Sequence, residues 1–220
     1  VNRMVKLASQ PRRRPAPPPA EDATTRERLL DAAHAVFLQH GTAGARTQDI
    51  ANTAGVNKAL LHYYFGTKQA LADAVFARQV HEFFPRIARI MGDESMAIAD
   101  KVHAVVREQI DFHTARPYLA PYLAAELHAD PTRLAAVLRR SGPPPLDVLD
   151  RQLAAAARRG EIRAISARHF MLNLIGMVML PCVMRPAVSV RLGLSREAFD
   201  AVIDERRRRV PEFFLAGLRP

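Results

Sequence analysis

The sequence predicts an all-α protein: an N-terminal three-helix head built on a helix-turn-helix, followed by a helical-bundle domain. Three observations carry this expectation. Apolar residues recur at helical spacing from Leu29 to Phe37 and in segment after segment beyond residue 68. Ala51, Gly55 and Leu61 have the spacing of two short helices that nearly touch at a tight turn. No stretch shows the convincing alternation of a half-buried strand.

The elements follow in order. Residues 1–21 hold Arg3, Lys6, Arg12, Arg13 and Arg14, with Pro11, Pro15 and Pro17 to Pro19 and almost no apolar periodicity. Such a composition predicts a disordered or extended basic arm, with no secretory pattern of charge then apolar run. The fold is expected to begin near residue 22. Thr24 with Glu27 forms a capping-box pattern ahead of Leu29, Leu30, Ala33, Val36 and Phe37, and Gly41 ends the run. In residues 41–71, Ile50, Ala54, Val56, Leu61 and Phe65 are needed for packing. That leaves Asn57, Lys58, Ala59, Leu60, His62, Tyr63 and Tyr64 facing outward as a recognition surface.

Past the Gly66-Thr67 turn, a long helix is predicted from Lys68 to Met91, with Pro85 as a site of disturbance. Further helices are predicted at about 96–114, 118–128 and 131–140, the last capped by Asp130 with Pro131 in its first turn. Ser141 to Pro144 breaks the chain. Leu146, Leu149, Leu153 and Ala156 then mark one helical face that stops at Gly160. The helix near 167–182 is apolar all round, which predicts burial on more than one side, against its own domain and a second subunit. Its most apolar run, residues 170–184, has 15 residues and contains Asn173 and Pro181. A membrane-spanning helix needs about 20, so a buried helix is expected instead. A last helix is predicted from Arg196 to about Leu218, with Arg206 to Arg209 on a solvated face.

The segments QDIA (Gln48 to Ala51), AGVNK (Ala54 to Lys58), LLHYYF (Leu60 to Phe65) and Thr67-Lys68 with Ala70-Leu71 resemble the TetR family of bacterial transcriptional regulators. The resemblance covers some fifty residues in one order of features, and it thins to length, helix content and Gly160 to Arg163 beyond residue 75. It implies a DNA-binding head at 22–70 and an effector-binding and dimerisation domain at 71–220. Carried over by position, Arg46, Thr47, Gln48, Asn57, Lys58, Ala59, Leu60, His62, Tyr63, Tyr64 and Lys68 are the expected DNA-binding residues. Lys58 is the expected base contact, since an ammonium can donate to guanine O6 and N7. Lys68 is the expected phosphate clamp. Two positions depart from the family pattern: Ala45 stands where a capping Thr or Ser is usual, and His62 where Tyr is commoner.

The resemblance further implies a homodimer on a palindromic double-stranded operator, repression by steric blocking, release by a small apolar or amphipathic effector, no cofactor and a cytoplasmic location. His103, Phe112, His113, Tyr122, Met171 and Met177 are the candidates to line an effector pocket.

Charge agrees through its placement. The net charge is +10, of which residues 1–20 supply half, while residues 21–70 balance five cations against five acids. Arg46, Lys58 and Lys68 nevertheless cluster near the turn and the recognition helix. An enzyme fits poorly, for there is no G-x-S-x-G elbow and no phosphate-cradling glycine loop, and His81-Glu82 lacks a second zinc histidine. The single Cys182 excludes an internal disulfide. A helical carrier of apolar molecules is the other rival; it leaves Asn57 to Tyr64 without a purpose.

Overall fold

The computed structural model describes residues 20–129 and 131–220. Residues 1–19 of the expected arm and the Asp130 cap lie outside the described residues, while residues 20 and 21 belong to the first helix. Among those described there are eleven helices and no strand. The head comprises α1 (Ala20–Gly44), α2 (Thr47–Ala54) and α3 (Lys58–Phe65), and α4 (Lys68–Gly92) runs from it into the body. The body adds α5 (Ile98–Ala115), α6 (Leu119–Ala129), α7 (Pro131–Arg139), α8 (Leu146–Arg158), α9 (Ala167–Val183), α10 (Arg185–Leu192) and α11 (Arg196–Gly217).

Two apolar clusters organise these helices. The first joins Leu29, Ala33 and Phe37 of α1, Ile50 of α2 and Leu61 of α3 to Leu71, Val75 and Phe76 of α4, and takes in Tyr118, Leu119 and Tyr122 at the start of α6. The second lies between the far half of α4 and helices α5, α8, α9 and α11, with Val102, Leu149, Phe170, Leu174 and Phe214 at its centre. Lys101 is completely buried beside it, yet its ammonium donates to Met91 O at 2.7 Å and Gln152 Oε1 at 2.5 Å. The carbonyl partner belongs to the last turn of α4, where the helix dipole favours a cation.

The structure amends several expectations. The first helix begins at Ala20, so Thr24 lies inside it and does not cap its start. Gly41 does break the helical path, at φ 66 and ψ 171, but a further helical turn follows to Gly44. Pro85 is carried inside a continuous α4. Helix α10 was not expected: it has no buried residue, so no apolar periodicity announces it. Arg206 and Arg207 are not simply solvated. Arg206 donates to the Met177 carbonyl and Arg207 bridges Asp111 of α5 and Asp204, while Arg208 and Arg209 pair within α11 on its exposed face. No single helix among the described residues is long and apolar enough to cross a membrane; α9 and α10 together approach the length but meet at 73°.

Candidate nucleic-acid interface

The recognition element is held by contacts on its inner face and at both ends. Ala51 and Leu61 are completely buried where α2 and α3 meet. Gly55 takes φ 64 and ψ 37, and its N–H closes the end of α2 on the Ala51 and Asn52 carbonyls. A side chain there would be strained, and its Cβ would lie 3.1 Å from Arg28 Nη2. Arg28 itself reaches from α1 to donate to the Ala54 carbonyl at 2.5 Å. That places a cation at the C-terminus of α2, where unpaired carbonyls and the helix dipole both favour it. The arrangement fixes the angle of the turn.

Asn57 is the N-cap of α3, its Oδ1 accepting from Ala59 N at 2.9 Å. Thr67 caps α4 in the same manner, accepting from Ala70 N at 3.0 Å. Leu61 turns inward, with Val56, Tyr64 and Phe65 partly buried against the same core. Lys58, Ala59, Leu60, His62 and Tyr63 are left exposed on one continuous surface, together with the cap Asn57. Tyr63 is 75% exposed and leans edge-on against Tyr64. A large aromatic side chain so exposed contributes little to the fold.

The supporting helix is less regular. Its N-cap is Arg46 in extended conformation with no side-chain cap, and Ala45 is buried, so no hydroxyl completes that end. The cation at Arg46 and the free amides of the first turn make this end attractive to phosphate. Gln48 is exposed and donates to Asn52 Oδ1 at 2.9 Å, while Thr47 is half-buried. Lys68 is half-buried, and its ammonium donates to the carbonyls of Ala43 at 3.1 Å and Ala45 at 3.0 Å. It ties the end of α1 to the start of α4, with one of three donors left over. His62 Nδ1 lies 3.0 Å from the Gly66 carbonyl, which can only accept. The Nδ1 proton is therefore committed, and His62 can donate to phosphate only through Nε2 as an imidazolium.

The head is fastened to the body through α6. Tyr118 OH meets His34 Nδ1 at 2.5 Å, and Tyr122 OH bonds Asp73 and Gln69 of α4. Arg78 of α4 pairs with Asp31 at 2.8 Å and Glu27 at 3.3 Å, both on α1. Behind α6 lies a cavity of about 380 Å³, walled by α4, α5, α6, α9 and the Ser141 to Pro145 segment. Its size falls in the range of small-molecule sites.

Three of the six candidate pocket residues line this cavity: Phe112, His113 and Met171. The other three do not. His103 is exposed on α5, one residue after buried Val102 and two before buried Val105. Tyr122 belongs to the head-side cluster, where its hydroxyl serves Asp73. Met177 sits off the cavity face of α9, which runs Met171, Ile175, Met179 at four-residue steps.

Comparison with known proteins agrees with this architecture. Residues 29–75 match the family described as bacterial regulatory proteins, tetR family. The chain is 32% identical over 98 residues to the HTH-type transcriptional repressor SCO4008 of Streptomyces coelicolor, covering 43% of this chain and 45% of that protein. The HTH-type transcriptional regulator TtgW of Pseudomonas putida is 32% identical over 96 residues, covering 41% of this chain and 72% of that one. Against several of these curated relatives, the chain spans about half of their length. Among solved structures, the regulator FadR of Bacillus subtilis, in complex with stearoyl-CoA, superposes with a TM-score of 0.60 at 20% identity, covering 88% of this chain and 99% of that one. A helix-turn-helix with its outer face unspent, an all-helical body behind it and these likenesses together place the chain in the TetR family of transcriptional regulators.

Proposed function

We propose that the protein is a homodimeric repressor that binds a palindromic operator through α3 and leaves it when a small molecule enters the body. One observation carries this reading: α3 spends its inner face on the core and presents Asn57, Lys58, Ala59, Leu60 and Tyr63 to solvent, with no packing role for the exposed side chains. Lys58 suits guanine, Ala59 and Leu60 suit thymine methyl groups, and Arg46 suits phosphate. A two-fold dimer would bring two such helices to successive major grooves, about 34 Å apart or further on a longer operator.

The partner surface follows from what the single chain leaves uncovered. Leu172 and Leu180 of α9 and Phe213 of α11 are 67%, 62% and 71% exposed, on helices whose other faces form the second core. An apolar surface of this kind is suited to a second copy of the chain. Release follows from the cavity wall. Leu119, Ala120 and Leu123 line the cavity, and the same helix or its leading residue carries Tyr118 and Tyr122, which hold α1 and α4. A ligand that favours a shifted α6 would favour a different spacing of the two heads. Chromosomal DNA as the target makes the cytoplasm the place of action.

The test is to incubate the purified protein with genomic DNA from its source at several salt concentrations and sequence what is retained. A palindromic motif surviving moderate salt supports the reading, and Lys58→Ala with Tyr63→Ala should abolish it while the helical fold persists. Uniform retention that vanishes steeply with salt would overturn it.

A further inference from the structure

We propose that the cavity behind α6 takes a neutral, mostly apolar molecule bearing a hydroxyl group, whose hydroxyl is recognised by Gln109 and His113. The proposal rests on the reading of this cavity as the effector site and specifies the chemistry of its occupant.

Among the described residues, the cavity lining contains no Asp, Glu, Lys or Arg. A charged group drawn inside would lose its hydration without a counter-ion, a cost far above that of an apolar group. The body of the ligand therefore meets Phe83, Ile87, Phe112, Met171 and Ile175. Against this lining three polar side-chain atoms stand out. Among the described residues, Gln109 Oε1, His113 Nδ1 and Ser141 Oγ are buried with no hydrogen-bond partner, and all three residues line this one cavity. Gln109 is 4% exposed, on a helix that could have carried an apolar residue there. Gln109 and His113 are four residues apart on α5 and share one face, a turn from each other.

Buried polar atoms without partners are costly and uncommon, and three of them on residues that line one cavity point to the chemistry that would satisfy them. Gln109 Oε1 can only accept, so the ligand must donate. Burial pushes the His113 imidazole down to about 4, so the ring is neutral at physiological pH and presents one donor and one acceptor nitrogen. A hydroxyl has one proton to give: it can donate to Gln109 Oε1 while accepting from Ser141, or from His113 in the tautomer whose Nδ1 carries the proton. An ether or ketone can only accept and leaves Gln109 Oε1 unpaired. Pro143, Pro144 and Pro145 stiffen the part of the wall that follows Ser141, because each fixes its own φ.

Isothermal titration calorimetry with the intact protein and four probes tests this: 4-hexylphenol, its methyl ether 4-hexylanisole, hexylbenzene and 4-hexylbenzoate. The phenol should bind about tenfold tighter than the ether or the hydrocarbon, since among these three only it can donate to Gln109 Oε1. Gln109→Met, near in volume, and His113→Leu should each bring that ratio toward one with ether affinity unchanged. Ala88→Leu, which fills the cavity, should weaken all neutral probes together. Equal binding of phenol and hydrocarbon, tightest binding by the benzoate, or no saturable binding would each overturn the proposal. Operator selection measured on the same protein separates the two readings. A protein that selects a palindrome but not the phenol loses only the ligand chemistry, and one that prefers the phenol but selects no DNA loses only the regulator assignment.

Discussion

Replacing Tyr118 by Phe removes one atom from the junction between head and body, and its effect can be worked out from the local geometry. The ring would remain, packed near Phe37 with centroids 5.7 Å apart and edge-on to His34 at 5.6 Å. Only the 2.5 Å contact to His34 Nδ1 is lost. Burial raises the Tyr118 phenol, and burial followed by the charges of Arg116 and Arg78 lowers the His34 imidazole, so the neutral hydroxyl donates to a neutral ring. Removing the donor leaves a half-buried nitrogen without its partner. The expected loss is about 1–2 kcal/mol, a net hydrogen bond plus part of the desolvation of the orphaned acceptor. For a chain of this size that lowers Tm by roughly 2–4 °C per kcal/mol. Thermal and urea melts at pH 7 on Tyr118→Phe, His34→Phe and the double variant form a cycle, with an expected coupling near 1 kcal/mol. Additivity within roughly 0.3 kcal/mol would show that the contact does not fasten the head, and the proposed route from α6 to α1 would fall with it.

Two further expectations follow from unusual groups elsewhere. Arg46→Ser supplies the side-chain cap that α2 lacks and removes a cation from the DNA face, so its two effects oppose: stability should rise by about 1 kcal/mol while operator affinity falls. The slope of log affinity against log salt should become shallower by roughly one ion, and an unchanged slope would mean that Arg46 touches no phosphate. His113 gives a pH dependence whose sign is fixed by its lowered folded-state value of about 4 against 6.5. Between those values the unfolded chain binds more protons, so stability present above pH 6.5 is lost as pH falls toward 4. The loss should approach about 3 kcal/mol. His113→Leu should lack this component in urea midpoints compared at pH 7 and 4.5, and equal pH dependence in the two proteins would show that the ring is not buried neutral.

The difference between what could be read along the chain and what could not is a matter of range and phase. Ala51, Gly55 and Leu61 are legible because the turn they form is local: a small residue, a left-handed glycine at φ 64 and a buried leucine lie within eleven positions. Arg28 and Lys68 serve the same unit, yet they reach carbonyls 26 and 23 residues away, and no local spacing announces that. The body shows the same limit more sharply. Met171 and Met177 look alike in an all-apolar helix, but only a packed structure shows which face meets the cavity, and six residues carry Met177 off that face.

Phase also explains why the effector chemistry emerges only from the folded chain. In the sequence, His113 is one of eight scattered histidines and Gln109 an ordinary polar residue of an amphipathic helix. Folding puts both on the buried side of α5, lining one cavity with a serine from a segment some thirty residues further along and with mostly apolar residues otherwise. A helix that needed only to pack would gain from Leu at 109. That the chain keeps a carboxamide there at 4% exposure is a cost to the unliganded fold, and the simplest physical account of it is that a donor arrives with the ligand.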